Sequence, residues 1–93
     1  MTDAEKLTML KVDLGISVEA YDARLTQYIT AAKAEIGREG ITLSDDSLDD
    51  CNLVIMYAAW MWRKRDTGDG MPRMLRYALN NRLFSEKMHE SEG

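Results

Sequence analysis

Apolar side chains recur along most of the chain at steps of three and four. The pattern predicts helices and no strand. Leu7, Leu10 and Leu14 make the first stripe. Thr2 and Glu5 precede it as a capping box, the threonine hydroxyl accepting from a first-turn amide while the glutamate reaches back. Gly15 stands where a left-handed residue ends a helix, so a short helix is expected over about 3–14. Ser17 is the next expected cap, with Glu19 and Asp22 complementing the positive end of a helix. Tyr21, Leu25, Tyr28, Ile29, Ala32 and Ile36 follow on one face, while Arg24, Gln27, Lys33 and Glu35 fall mostly off it. This second helix is expected to reach about Arg38, with Gly37 and Gly40 ending it.

Residues 39–44 read as a connection, after which Ser44 is expected to cap a third helix that ends in the basic run Arg63-Lys64-Arg65. Asp45, Asp46, Asp49 and Asp50 load its first turns, so acids begin it and bases finish it, as the macrodipole favours. Leu48, Cys51, Ile55, Ala59 and Trp62 make one stripe on it, and Leu53, Met56, Tyr57 and Trp60 make a second on a different side. A helix apolar on two sides is buried on two sides. Three other helices in a small domain are expected to cover only part of that surface, leaving the excess for a partner.

Residues 66–70 are a turn-rich linker, and Pro72 suits the first turn of a fourth helix, where its missing amide costs nothing. Met71, Leu75, Ala78, Leu79 and Leu83 give that helix its apolar side, with Arg73, Arg76, Tyr77, Asn80, Asn81 and Arg82 elsewhere. From Ser85 the chain turns polar and acidic, so residues 85–93 are expected to form a flexible tail. The expectation is a single all-α domain over residues 1–93: a compact four-helix arrangement with a short N-terminal helix, two longer antiparallel helices, and a C-terminal helix closing one end.

Length and composition agree with one modest core, because 93 residues with 45% apolar side chains suffice for one domain and no more. Cys51, the one cysteine, cannot form an internal bridge and reads as a small buried hydrophobe. His89 is the one histidine and lies near the C-terminal end. No phosphate loop, dinucleotide fingerprint, zinc spacing or nucleophile elbow occurs, so no enzyme, no cofactor and no metal site is expected. The acids at 45–50 lack the glycine and terminal glutamate of a calcium loop and read as helix-start acids open to a basic neighbour. The first residues do not read as a secretory leader. The longest apolar run, residues 53–62, is half of the ~20 residues a membrane span needs, so a soluble protein without membrane contact is expected.

The net charge of −4 conceals an asymmetry. Residues 63–82 carry Arg63, Lys64, Arg65, Arg73, Arg76 and Arg82 against only Asp66 and Asp69, while the segment before them is strongly acidic. A small protein so polarised presents an acidic face to a basic one, its own copy's or a partner's. The overall acidity argues against a general duplex binder, although a small nucleic-acid-binding packaging or regulatory factor using residues 72–82 stands as the alternative. Trp60 and Trp62, two residues apart, point to nearly opposite sides of one helix, so one is expected in the core and one at an interface. Tryptophan and arginine most often carry interface energy, which makes Trp60, Trp62, Arg63, Arg65, Arg73 and Arg76 the candidate partner contacts.

The order of a short helix ending Leu14-Gly15-Ile16, an Ala-rich acidic helix, a Trp60-x-Trp62-Arg63 helix, a glycine-containing break and the run from Met71-Pro72-Arg73 to Asn81-Arg82-Leu83-Phe84 resembles the head–tail connector (adaptor) proteins of tailed bacteriophages and prophages. These are also described as phage DNA-packaging proteins. The likeness covers roughly residues 5–88 and is most specific around 59–65 and 72–84. It implies a helical protomer that forms a ring beneath the portal protein, around the DNA channel at the virion's head–tail junction. It would be assembled in the host bacterial cytoplasm, with a head-closure or tail protein below and no catalytic residue. Ring contacts would involve residues 60–65 and 72–82.

Overall fold

The first turn of the chain is fixed locally. Thr2 accepts from the Glu5 amide at 3.1 Å while the Glu5 carboxylate accepts from the Thr2 amide at 3.0 Å. At the other end Gly15 adopts φ 70° and its amide and that of Ile16 close onto the carbonyls of Val12 and Lys11. These caps bound α1 at Asp3–Leu14, as the sequence predicts. The structure is a computed structural model; it describes residues 1–92, with side chains for residues 1–88. Three further helices follow: α2 (Asp22–Arg38), α3 (Leu48–Thr67) and α4 (Arg73–Glu92). The domain is all-α, with no strand among the described residues.

Two expected caps move. Ser17 does not start α2; it lies in an irregular stretch that leads into a turn over residues 19–22, in which the Asp22 amide donates to the Glu19 carbonyl, and the Tyr21 ring packs edge-to-face with Trp62. That ring contact lies across the fold, so α2 begins only where the chain leaves it. Ser44 does not cap α3 either. Ser47 does, accepting from the Asp50 amide at 3.2 Å, while the Ser44 hydroxyl accepts from the Asp46 amide and its own amide donates to the Asp50 carboxylate. Ser44 is therefore consumed by the turn before the helix. Gly37 is the penultimate residue of α2 and keeps helical backbone, and Gly40, at φ 100°, makes the reversal that follows.

α3 is the centre of the fold. Its late residue Trp62 meets Tyr21 and Tyr28 from the start of α2, while its early residues Cys51 and Val54 share a cavity with Gly37 from the end of α2. The two helices are thus antiparallel, as expected. α1 runs parallel to α3, since Lys6 reaches Asp45 before α3 and Arg63 reaches the Asp13 carbonyl. α4 does not close one end of the bundle. It lies back along α3, with Pro72 and Leu75 beside Trp60 and Arg82 paired with Asp50. Leu10, Leu25, Ile29, Ile36, Val54, Ala58, Leu75 and Leu79 form the sealed core between the four helices.

With neighbours on three sides, α3 hides most of its apolar surface: Leu53, Val54, Ile55, Tyr57, Ala58 and Ala59 are all buried. The excess expected on the third helix is therefore small, confined to Leu48, Met56 and parts of the two tryptophans. The backbone also stays helical from Ser85 to Glu92, where the sequence pattern predicts a frayed tail. Glu86 anchors this stretch by accepting from Arg82 at 3.0 Å and from the Thr42 amide at 3.2 Å. Gly93 and the His89 side chain lie outside the described residues.

Candidate interaction surface

The six candidate contact residues fall on three surfaces. Trp60 and Arg63 share one side of α3. The Trp60 indole donates to the Asp69 carbonyl at 3.3 Å, its ring meets Tyr57 edge-on at 5.4 Å, and the Lys64 ammonium sits 4.3 Å from its centroid. Arg63 donates to the Asp13 carbonyl at 3.4 Å, capping the negative end of α1. Trp62 and Arg65 face the other way, toward α2. Trp62 is wedged between Tyr21 and Tyr28 at 5.4 and 6.0 Å, and the Arg65 guanidinium stacks 3.7 Å from its ring. Both tryptophans are half-buried, so neither is a core residue and neither stands free of the fold.

Arg76 and Arg73 lie on α4. Arg76 grips Glu39 with both terminal nitrogens, at 2.9 and 3.3 Å, and that carboxylate holds its guanidinium above the usual arginine value. Arg73 is exposed and makes no ion pair or hydrogen bond among the described residues.

Two charged networks fasten the helices and absorb part of the acidic cluster. Lys6, 1% exposed, donates to Asp45 at 2.7 Å and to Asp3 at 3.2 Å, and Lys33 also pairs with Asp3. Burial pulls the Lys6 ammonium down, but its two carboxylates outweigh burial and hold it above the ordinary lysine value. The Lys33 bond holds Asp3 below the usual carboxylate range, and the Lys6 bond does the same for Asp45. Asp50, 3% exposed, accepts from Arg82 and from the Ser44 amide, and Arg82 also donates to the Thr42 carbonyl. Of the acids at 45–50, only Asp46 and Asp49 keep exposed carboxylates without such bonds.

The surface that the sequence pattern did not point to is on α4. Leu75, Leu79, Arg82, Leu83 and Glu86 turn inward, and opposite them stand Met74, Tyr77, Asn81, Phe84 and Met88. The four apolar members are 75, 59, 66 and 50% exposed. A groove between α3 and α4 borders this stripe on one side. Its two compartments, of about 370 and 310 Å³, meet at Met56; Asp49 and Ser85 lie at one end, Asp13 and Met74 at the other. The solvent-accessible surface is 6067 Å², against ~5,500 Å² for a folded monomer of 10.6 kDa. The surplus agrees with a slab-like protomer measuring 46 × 28 × 17 Å. The signal for the stripe was present in the 3-4-3-4 spacing, masked by Tyr77 and Asn81, which read as polar.

No helix among the described residues is long and apolar enough to cross a membrane. Compared with protein-family models, curated proteins and solved structures, the chain matches none of them.

Proposed function

We propose that this chain is a structural assembly subunit of the head–tail connector kind: a protomer that works by packing against copies of itself, the portal protein and a head-closure or tail protein at the virion's head–tail junction. The observation that carries it is the apolar stripe Met74, Tyr77, Phe84, Met88, placed on the side of α4 that the protomer's own core leaves bare. Exposed apolar groups of this kind mark association surfaces. A second exposed pair, Met9 and Val12 on α1, lies on a different helix, so one protomer offers apolar contacts on two elements. The charge distribution supports the same reading, with Asp46 and Asp49 exposed at one end of α3 and Arg63, Lys64 and Arg65 at the other.

The alternative, direct nucleic-acid binding through residues 72–82, draws less support. Arg76 and Arg82 are already paired with Glu39 and Asp50, which leaves Arg73 as the one arginine of residues 72–82 without an ion pair among the described residues.

The connector reading expects portal and capsid genes beside the coding region. It also expects native mass spectrometry of the chain mixed with that portal protein to show ring-sized complexes. A neighbourhood lacking both genes, or a portal ring whose mass is unchanged by the chain, overturns it. Strong duplex DNA binding that falls steeply with salt would favour the alternative.

A further inference from the structure

We propose that the Asp69–Gly70 peptide, in the connection between α3 and α4, is a site of spontaneous isomerisation to isoaspartate, and that the Trp60 indole restrains it. The site does not depend on the assembly role of the chain.

The reaction needs an aspartate side chain, the backbone nitrogen of the next residue, and water. The Gly70 nitrogen attacks Asp69 Cγ. An N–Cγ bond forms, the Cγ–hydroxyl bond breaks, and the amide proton leaves with the hydroxyl as water, closing a cyclic succinimide. Water then reopens the ring. Addition at Cγ breaks the new bond and restores aspartate. Addition at the Asp69 main-chain carbonyl carbon breaks the original peptide bond instead, so the chain now runs through Cβ and Cγ. One water leaves and one returns, so the mass is unchanged and neither oxidant nor reductant is consumed.

Both reacting groups are open at this position. Asp69 is the only aspartate followed by glycine, and no asparagine is. Elsewhere the side chain of the following residue crowds the attacking nitrogen, and Asp3, Asp13, Asp22, Asp49, Asp50 and Asp66 lie within helices, where the backbone is fixed. At Gly70 nothing stands within 4 Å of where a Cβ would be. Residues 68–72 form no regular structure, and Asp69 and Gly70 are exposed. Among the described residues the Gly70 amide donates to no protein group, and the Asp69 carboxylate makes no hydrogen bond or ion pair. Neither group has a bond to give up before they meet.

The restraint acts on the peptide between them. Trp60 Nε1 donates to the Asp69 carbonyl at 3.3 Å, and the Asp69 amide donates to Thr67 Oγ1 at 3.3 Å. Ring closure needs a ψ that lies between the ordinary α and β regions. The peptide must therefore rotate about the Asp69 Cα–C bond, which swings the carbonyl off the indole. A single exposed hydrogen bond slows this rotation without forbidding it. The product carries one more methylene in the backbone between Gly68 and Pro72. Trp60 and Pro72 line the same end of the α3–α4 groove, so the change falls on the junction from which α4 starts.

The test holds the full folded chain at neutral pH and body temperature for several weeks. Its tryptic peptide of residues 66–73 is followed by liquid chromatography with electron-transfer mass spectrometry. A second peak of equal mass should grow, with fragments that place the extra methylene in the backbone at residue 69. Gly70→Ala, whose methyl group meets open space, should slow the growth by about tenfold. Trp60→Phe keeps a ring but loses the donor, and should speed it by about twofold or more. Circular dichroism of each variant, taken alongside, ensures that folded chains are compared. A peptide that remains one peak, or a Gly70→Ala chain that isomerises as fast as the wild type, overturns the site. An unchanged or slower rate in Trp60→Phe overturns the restraint.

Discussion

The Arg82 guanidinium donates from Nε to the Asp50 carboxylate at 2.7 Å across the α3–α4 junction, with the Asp50 side chain 4% exposed and the Arg82 side chain 21% exposed. The same guanidinium reaches the Thr42 carbonyl and Glu86, so one side chain ties α4 to the start of α3 and to the turn before it. Replacing Arg82 with Met strands a buried carboxylate. The expected loss is about 3 kcal/mol in urea unfolding. Arg76→Met breaks a pair with Glu39 in which the side chains are 41 and 26% exposed, and should cost less than about 1 kcal/mol. Equal losses in the two variants would contradict the weight placed on burial.

How much of this was legible beforehand depends on how local each determinant is. α1 was readable to the residue because its capping box and left-handed glycine lie inside the segment they define. The starts of α2 and α3 were not. Tyr21 is held by Trp62, 41 positions away, and Ser44 is held by Asp50, which is itself fixed by Arg82. The double apolar character of α3 was visible, but which helices would cover it was not, since the placement of α4 along α3 follows from a pair 32 residues apart. Of the candidate contacts, Trp60, Trp62, Arg63 and Arg65 turned out to be engaged with their own protomer, while the barest apolar surface lay on a face whose tyrosine and asparagine made it read as polar.

Acid should destabilise the protein through the Lys6 network. Asp3 and Asp45 have folded values lowered by their lysine bonds. A lowered carboxylate contributes stability that is present above the unfolded aspartate value, about 3.9, and is lost as pH falls through the folded value, because the unfolded chain takes up protons first. Urea midpoints should therefore hold between pH 7 and 5 and drop below about pH 4. Lys6→Met should flatten that drop. It should change stability at pH 7 by less than about 1 kcal/mol, since both carboxylates it releases are well exposed, at 55 and 72%. An acid limb as steep in Lys6→Met as in the wild type would assign the drop to other groups.

Three glycines should respond to alanine in different directions. Gly37 has helical backbone within α2 and open space where a Cβ would go, so Gly37→Ala should stabilise by about 0.5–1 kcal/mol. Gly15 has φ 70° with open space, and Gly15→Ala should cost about 1 kcal/mol from backbone strain alone. Gly40 has φ 100° and a Cβ there would stand 3.4 Å from a Leu83 methyl, so Gly40→Ala should be the most harmful of the three. Thermal melts of the three variants give the order directly, and a stabilising Gly40→Ala would refute the turn geometry.

Trp62 is expected to matter more for folding than for association. Its indole is flanked edge-to-face by Tyr21 at 72° and Tyr28 at 89°, and its face is covered by Arg65. Removing it deletes the contact that joins the end of α3 to the start of α2, and Trp62→Ala should cost about 3 kcal/mol. Part of that cost belongs to the Tyr21 pair. A double-mutant cycle with Trp62→Ala and Tyr21→Ala should give a coupling of about 0.5–1.5 kcal/mol, the range for aromatic pairs. Because Tyr21 is the residue immediately before α2, its loss should also let the first turn of that helix exchange amide hydrogens faster, at Asp22 through Leu25, without changing protection in α4. A coupling near zero, or unchanged exchange at the start of α2, would mean that the turn over residues 19–22 is set by its own backbone bond rather than by the ring on Trp62.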